Sequence, residues 1–425
     1  IYADTSMCEG VSKKEAHDRF KKNLYLKLQG DTGKNLPWGY LTGVRPSKIA
    51  YSMLEAGNSD EEIMSEFEEK HFVSHDKAEL AMQVAKTEKK ILEDIDYTNG
   101  YSIYIGIPFC PTTCLYCSFT SYSLAANRSK VDLYLDALVK EMRFVADRMK
   151  GRRLDTVYFG GGTPTTLEPE QLDRVLNELE ADFDMSTVKE LTVEAGRPDS
   201  VTVQKLEVLK KHGVDRISIN PQTMNDKTLE IIGRRHSATQ VEEAFKLARS
   251  VGFDNINMDI ILGLPGEGIN ELRYTLDKIK ELKPESLTVH SLAIKRAAAL
   301  NIWREKYENL KFENSDETVS LAQKYAGDIG CMPYYMYRQK NMAGNLENVG
   351  YSVPGKECIY NILIMEEKQT IIAMGAGAST KAVFDADQPG PRIERVENVK
   401  DLTSYISRID EMIERKRIFF DNNML

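Results

Sequence analysis

From residue 101 onward, short apolar runs alternate with stretches whose apolar residues recur every three or four positions. The runs at 102–107, 155–159, 190–194, 216–219, 256–261 and 286–290 are rich in β-branched and aromatic side chains, which predicts strands. Between them, 130–149, 169–181, 201–212, 240–251 and 269–282 carry the helical period. Strands alternating with helices of this length predict βαβ units and a parallel sheet. Six such strands allow either a doubly wound sheet or a partial barrel. In a barrel the chemistry gathers on the loops that follow the strand C-termini, and every distinctive motif of this chain falls on such a loop. The expectation is therefore an α/β chain built on a partial (β/α)6 barrel over residues 99–296.

The flanks have a different texture. Residues 1–98 are polar and mostly helical in pattern, with helical spacing at 13–28 and again at 76–95, which predicts an accessory helical N-terminal domain. Between those stretches, 37–50 reads PWGYLTGVRPSKIA, where Trp38 is expected to plug this segment onto the next domain. Arg45 and Lys48 are expected in solvated or salt-bridged roles. Residues 297–425 predict an α+β C-terminal domain covering the substrate: helices at 303–313 and 319–327, a tyrosine-rich patch at 333–341, an apolar strand ending in a glycine turn at 370–378 and a charged helix at 400–420. The patch has two readings. Arg338 and Lys340 beside Tyr334, Tyr335 and Tyr337 suit gripping carboxylates and stacking on a flat ring, and the alternative is a strand with one buried aromatic face.

Composition narrows the function classes. The 425 residues are 42% hydrophobic and 28% charged, an ordinary globular balance with room for two or three domains. A net charge of −9 gives no support to a nucleic-acid partner, so an anionic substrate needs a local basic pocket. No apolar stretch is long enough to span a membrane and none reads as a signal peptide. Six cysteines form no disulfide framework, and the expected location is a reducing cytoplasm.

Three of those cysteines, Cys110, Cys114 and Cys117, stand in the loop IPFCPTTCLYCS (107–118) with the spacing C-x3-C-x2-C. Soft thiolates on one short loop suit an iron–sulfur cluster. Three of them hold three irons of a 4Fe–4S cluster and leave the fourth open to a small chelating molecule with an amine and a carboxylate, such as S-adenosylmethionine (SAM). The competing readings are buried or reactive thiols, or zinc. Zinc wants a fourth ligand, usually in a second pair, and no second pair follows nearby. Cys331 and Cys358 are expected as inert core thiols.

The other motifs follow later strands. GGGTP (160–164) lets a ligand approach the backbone and exposes N–H donors, with a tight turn as the plain alternative. Glu194 in VEAGRPD is either an ion-pair partner or a ligand for ribose hydroxyls or an ammonium. Gln222 follows in SINPQTM. Arg234 in IIGRRHS suits a bidentate grip on a carboxylate, and a helix-surface arginine is the alternative. DIILGLPGEG brings Asp259, able to bind a hydroxyl, and Ile261, able to face a flat base.

The cysteine spacing, with Tyr116 before the last cysteine, resembles the signature of radical SAM enzymes. Together with Tyr104, residues 108–110 and 160–164, Glu194, Gln222, Arg234 with His236, Asp259 and residues 263–266, the chain resembles the oxygen-independent coproporphyrinogen III oxidases over about residues 101–295. WGYLTGVRP and YRQKNMAGNLENVGY look most like the HemZ branch of that family. The resemblance implies a partial (β/α)6 barrel, a 4Fe–4S cluster on Cys110, Cys114 and Cys117, and SAM lined by Tyr104, Gly161, Gly162, Thr163, Glu194, Gln222, Arg234, Asp259 and Ile261, with the glycine turn on the methionine amino group. It also implies a tetrapyrrole substrate, coproporphyrinogen III, whose propionates become vinyl groups, and a low-potential electron donor such as flavodoxin or ferredoxin. The chain departs from the HemN pattern after Cys117, where Ser118 and Phe119 replace a further cysteine, and in VHSLAIKRAAAL (289–300), which lacks the usual tyrosine and glutamate. The alternative within the family is a haem chaperone or haem-modifying protein. The H-N-x-x-Y-W motif of the chaperones is missing, since 358–365 reads CIYNILIM.

Overall fold

Tyr101–Ile107, the strand that leads into the cysteine loop, has parallel neighbours on both sides, and one of them comes from the far end of the chain. This is seen in a computed structural model, which describes residues 12–43, 45–293, 314–339, 346–385 and 391–423. The expected 303–313 helix and Lys340 lie outside the described residues. In chain order the strands of the main sheet are β1 (Tyr101–Ile107), β2 (Leu154–Gly161), β3 (Glu190–Glu194), β4 (Arg216–Ser218), β5 (Ile256–Leu262), β6 (Ser286–Ser291), β7 (Met332–Arg338), β8 (Glu347–Ser352), β9 (Thr370–Met374), β10 (Ser379–Phe384) and β11 (Arg392–Glu397).

They form one 11-stranded sheet in the order β11-β10-β9-β1-β2-β3-β4-β5-β6-β8-β7. β1 to β6 run parallel in sequence order, joined by the helices Val131–Arg148, Pro169–Asp182, Val203–Lys211, Ala238–Ser250 and Ile269–Leu282. That is the expected (β/α)6 unit, open between β1 and β6. Its strands are buried along nearly their whole length, as a sheet covered on both faces requires. The strands of the 332–397 region extend this same sheet at both edges. β8 pairs antiparallel with β6 and β7 with β8, while β9 lies parallel beside β1 and carries β10 and β11. The segment expected to cover the barrel thus shares the barrel's sheet.

Two buried polar hubs tie the flanks down. Trp38 is enclosed, its Nε1 donates to Glu347 at 2.7 Å, Lys77 pairs with the same carboxylate at 2.5 Å, and the Arg338 guanidinium lies over the indole at 5.4 Å. The N-terminal helices are plugged onto β7 and β8 as the tryptophan predicted. Arg45 is salt-bridged to Glu367 at 2.5 Å. The 37–50 stretch, which reads as broken, becomes the Ser47–Glu55 helix once past Pro46, and a further helix, Asp60–Ser65, starts on a Ser59/Glu62 capping box.

The second hub centres on Glu141. Lys416 reaches it at 2.5 Å with both side chains fully enclosed. Tyr405 donates to it at 2.5 Å, Asn398 at 2.7 Å and the Gly375 amide at 2.9 Å. The expected helix at 400–420 is in fact two, Leu402–Ser407 and Ile409–Asn423, and the break lets the second place Lys416 inward. Gly375 has φ +105, and a Cβ there would lie 2.6 Å from the Gly106 carbonyl oxygen, so the turn after β9 must be glycine to nest against β1.

Removing one partner of such a pair leaves a buried charge. Lys416→Met is expected to cost about 3 kcal/mol in urea unfolding, and adding Glu141→Gln should return part of that loss. Equal stability of the single variant and the parent would show that the charge of Glu141 is satisfied without Lys416.

Candidate functional site

A cavity of about 390 Å³ opens inside the barrel, and the loops after β1, β2, β3 and β4 form its rim. The loop after β1 carries the three cysteines. Cys110, Cys114 and Cys117 all line the cavity, half-buried and in free thiol form. The loop is held from both sides. Phe109–Cys110 pairs with Tyr122–Ser123 in a two-stranded ribbon, while the amides of Gly162 and Thr163 donate to the carbonyls of Ile107 and Phe109, each at 2.8 Å. Two of the N–H groups expected to face a ligand are therefore spent on the cysteine loop, which favours a ligand that brings its own donors, such as an ammonium. A Cβ on Gly162 would lie 2.6 Å from the Phe109 carbonyl oxygen, so the close approach demands glycine.

Two guanidinium groups flank Cys114. Arg197 is anchored in a fork to Asp199 at 2.8 and 3.0 Å and donates to the Thr112 carbonyl at 3.1 Å and to Cys114 Sγ at 3.9 Å. Arg234, also buried, donates to the Asn220 carbonyl, and its charge acts on Tyr116 and Cys114. Burial pushes the Cys110 thiol up to about 11, and Cys117 is raised for the same reason. Thiols so placed ionise on binding metal, and the paired arginines offset the negative charge that accumulates. Among the described residues no three His, Cys, Asp or Glu side chains converge to hold a single ion. A cluster asks something else, since each thiolate binds a different iron. Three thiols facing one cavity and backed by cations fit a three-point iron–sulfur ligand set.

Below the rim sit two carboxylates with opposite tendencies. Glu194 accepts from Tyr158 Oη at 2.7 Å, yet burial, with the nearby Asp259 charge, raises it to about 7. Burial also pushes Asp259 up, but His290, Asn257 and Thr288 outweigh it and hold this carboxyl below its ordinary value. Gln222 adopts φ +65, unusual for a residue with a side chain, and its backbone bridges Asp259 and Ile261 at 2.9 and 3.0 Å. Its Oε1 is buried without a partner, an acceptor waiting for a donor.

Tyrosines make the walls. Tyr104, Tyr158 and Tyr360 stack, with Tyr158 and Tyr360 at 4.6 Å between ring centroids, and Tyr335 and Tyr337 stack at 6.4 Å from β7. The described part of the patch is thus a strand, Met332–Arg338, with a buried aromatic face that also lines the cavity. Arg338 lies outside it, donating to the Leu41 carbonyl at 2.8 Å.

Of the residues singled out from sequence, Tyr104, the three cysteines, Gly161, Gly162, Thr163, Glu194, Gln222, Arg234 and Asp259 meet in this one cavity. Ile261 does not. It packs with Leu115, Leu229, Ile232, Leu264 and Leu292 in a small apolar cluster against Tyr116, behind the cysteine loop. Reading the sequence missed Arg197, Tyr158, Arg216, Ser218 and Tyr360. Arg216 and Ser218 were legible as alternating positions of a predicted strand, whereas Tyr360 reaches the barrel on a helix from the tail.

The radical SAM superfamily model matches residues 104–279. The chain is 42% identical over 414 residues, 96% of its length and 82% of the relative's, to the oxygen-independent coproporphyrinogen-III oxidase-like protein HemZ of Bacillus subtilis. The chain belongs to the radical SAM superfamily, in its coproporphyrinogen oxidase-like family. It is also 39% identical to Heme chaperone HemW of Bacillus subtilis, over 45% of this chain and 50% of that one. In structure it is similar to the coproporphyrinogen III oxidase HemN of Escherichia coli, with a TM-score of 0.58 at 22% identity, covering 76% of this chain and 73% of that one. Radical SAM membership makes a 4Fe–4S cluster and SAM the cofactors of this chain. No helix among the described residues is long and apolar enough to cross a membrane.

In this radical SAM protein the raised Glu194 carboxyl has a measurable consequence. The unfolded chain releases that proton near 4.5 and the folded one near 7, so folding stability falls as pH rises through that window, by on the order of 3 kcal/mol. Glu194→Gln is expected to flatten that fall in urea midpoints of the apoprotein taken from pH 4.5 to 8. An unchanged slope would mean that Glu194 ionises near its usual value.

Proposed function

We propose that this chain oxidatively decarboxylates propionate side chains of coproporphyrinogen III to vinyl groups, giving protoporphyrinogen IX in haem biosynthesis without oxygen. The observation that carries the reading is the composition of the one cavity: three thiols and a glycine turn at the rim, two unlike carboxylates below, and tyrosine walls suited to a flat pyrrolic ring. In this proposal Cys110, Cys114 and Cys117 ligate the cluster. The Gly161–Gly162–Thr163 turn receives the SAM ammonium, Arg234 its carboxylate, and Tyr104, Glu194, Gln222 and Asp259 its nucleoside end. Ile261 serves from behind, packing under Tyr116. The cluster and SAM, when bound, supply a carbon-centred radical able to take a hydrogen atom from a propionate β-carbon.

The chain's own residues then have three tasks. Arg197 and Arg234 fix the cysteine loop and neutralise it. The stacked tyrosines exclude water around the reacting carbon and orient the ring. Glu194, neutral or charged near pH 7, and Asp259, charged, divide hydrogen-bond donation and acceptance between them. Each propionate loses a β-hydrogen atom to that radical, then carbon dioxide and one further electron, which passes to a one-electron acceptor. A low-potential flavodoxin or ferredoxin is the proposed reductant for the cluster, and the cytoplasm the proposed location.

A second reading, a haem-binding chaperone, is favoured by the identity to Heme chaperone HemW. One assay separates the two. The reconstituted protein is incubated anaerobically with SAM, a low-potential reductant and coproporphyrinogen III, and products are followed by mass spectrometry. Substrate-dependent 5′-deoxyadenosine with loss of two carboxyl groups is expected, and Cys110→Ala should abolish both. Stoichiometric haem binding with no change in the tetrapyrrole would select the chaperone. SAM cleavage by an intact cluster in Cys110→Ala would overturn the proposed ligand set.

A further inference from the structure

Arg216 opens β4 and is 2% exposed, yet it lines the cavity. Its Nε is enclosed with no hydrogen-bond partner, and among the described residues the guanidinium has no ion pair. The two carboxylates whose fields reach it are engaged elsewhere. Glu190 accepts from the Ile359 amide at 2.6 Å, the Tyr360 amide at 3.4 Å and the Cys358 thiol at 3.3 Å, and Glu194 accepts from Tyr158 at 2.7 Å. Two residues on, Ser218 also lines the cavity, and its buried Oγ has no partner either. Alternation along a strand turns both side chains to the same, inward face. A buried guanidinium beside an unsatisfied hydroxyl is an arrangement that calls for an anion.

Depth indicates which anion. Arg216 is paired in register with Thr192, whereas Ser218 is level with Glu194 near the end of β3. Arg216 therefore lies two residues, roughly 7 Å, further from the cysteine rim than Glu194 does. A ligand chelating iron at the rim through its own amine and carboxylate does not reach this deeper cation, which feels the field of Glu190 but among the described residues holds no anion in hydrogen-bond contact. The planar fork of arginine fits a carboxylate in two parallel hydrogen bonds. We propose that Arg216 and Ser218 form a carboxylate subsite in the depth of the cavity that holds one propionate of the tetrapyrrole and so sets which side chain is presented to the radical. This rests on the tetrapyrrole reading given above.

The test compares binding of coproporphyrin III with that of its tetramethyl ester, by porphyrin fluorescence titration of the reconstituted wild type, Arg216→Gln and Ser218→Ala. SAM affinity is measured alongside by equilibrium dialysis. A charge-assisted pair predicts that Arg216→Gln weakens binding of the free acid at least about tenfold and shrinks the ester penalty by a similar factor, with SAM affinity unchanged. Ser218→Ala should move both in the same direction by a smaller factor, and it decides the matter if Arg216→Gln does not fold. An ester penalty equal in wild type and variants overturns the subsite, as does a loss of SAM affinity with porphyrin binding intact. If the wild type binds no tetrapyrrole, the substrate reading falls and the subsite with it; if it binds but the penalties match, the subsite alone falls.

Discussion

The cysteine loop is held in place by backbone, and most of the site depends on that. The amides of Gly162 and Thr163, donating to Ile107 and Phe109, fasten the end of β1 to the turn after β2, so the loop leaves the sheet in a fixed direction. Those bonds exist only because no Cβ separates Gly162 from the carbonyl it faces. Arg197 and Arg234 then reach the loop from the turns after β3 and β4, which places positive charge beside Cys114. The ligand loop is thus positioned by four successive βα units, and its geometry belongs to the barrel.

The same logic gives the cavity its polarity. Cations and thiols occupy the rim, a carboxyl raised to about 7 and an ionised one occupy the next level, and a guanidinium with no ion pair among the described residues lies deeper among tyrosines. Such layering lets one small space discriminate between ligand ends of different charge, since in a low-dielectric enclosure each group strongly disfavours the wrong sign.

How much of this was legible in the sequence depended on whether the information was local. Period-two and period-3.6 patterns gave the six parallel strands and their helices, and glycines and cysteines at strand ends marked the rim. Trp38 announced a docking contact because a large apolar ring in a polar, mostly helical segment needs a neighbouring surface to bury it. Other features were set by long-range packing. Tyr360 stacks on Tyr104 and Tyr158 from a helix more than 200 residues away in the chain, and no periodicity encodes that. Ile261 sits where an inward residue was expected, but Leu115 and Ile232 supply an apolar pocket beneath the loop that claims it. The tail's strands looked like a separate domain because their sequence does not say which sheet they join. The chaperone's missing motif and the HemN departures were readable, yet they bear on activity and leave the fold unchanged.

The pairing of β1 with β9 reaches beyond the finished structure. Tyr101 finds its partner in Thr370 and Ile105 in Met374, so the strand that launches the cysteine loop keeps one hydrogen-bonding edge open until more than 250 further residues have been made. On the ribosome, several βα units can assemble while that edge stays bare, exposing a template for unwanted strand addition. Insertion of iron and sulfide before β9 docks would load a loop whose supporting strand is only half enclosed. The order of synthesis therefore favours cluster assembly after β9 has closed that edge of the sheet.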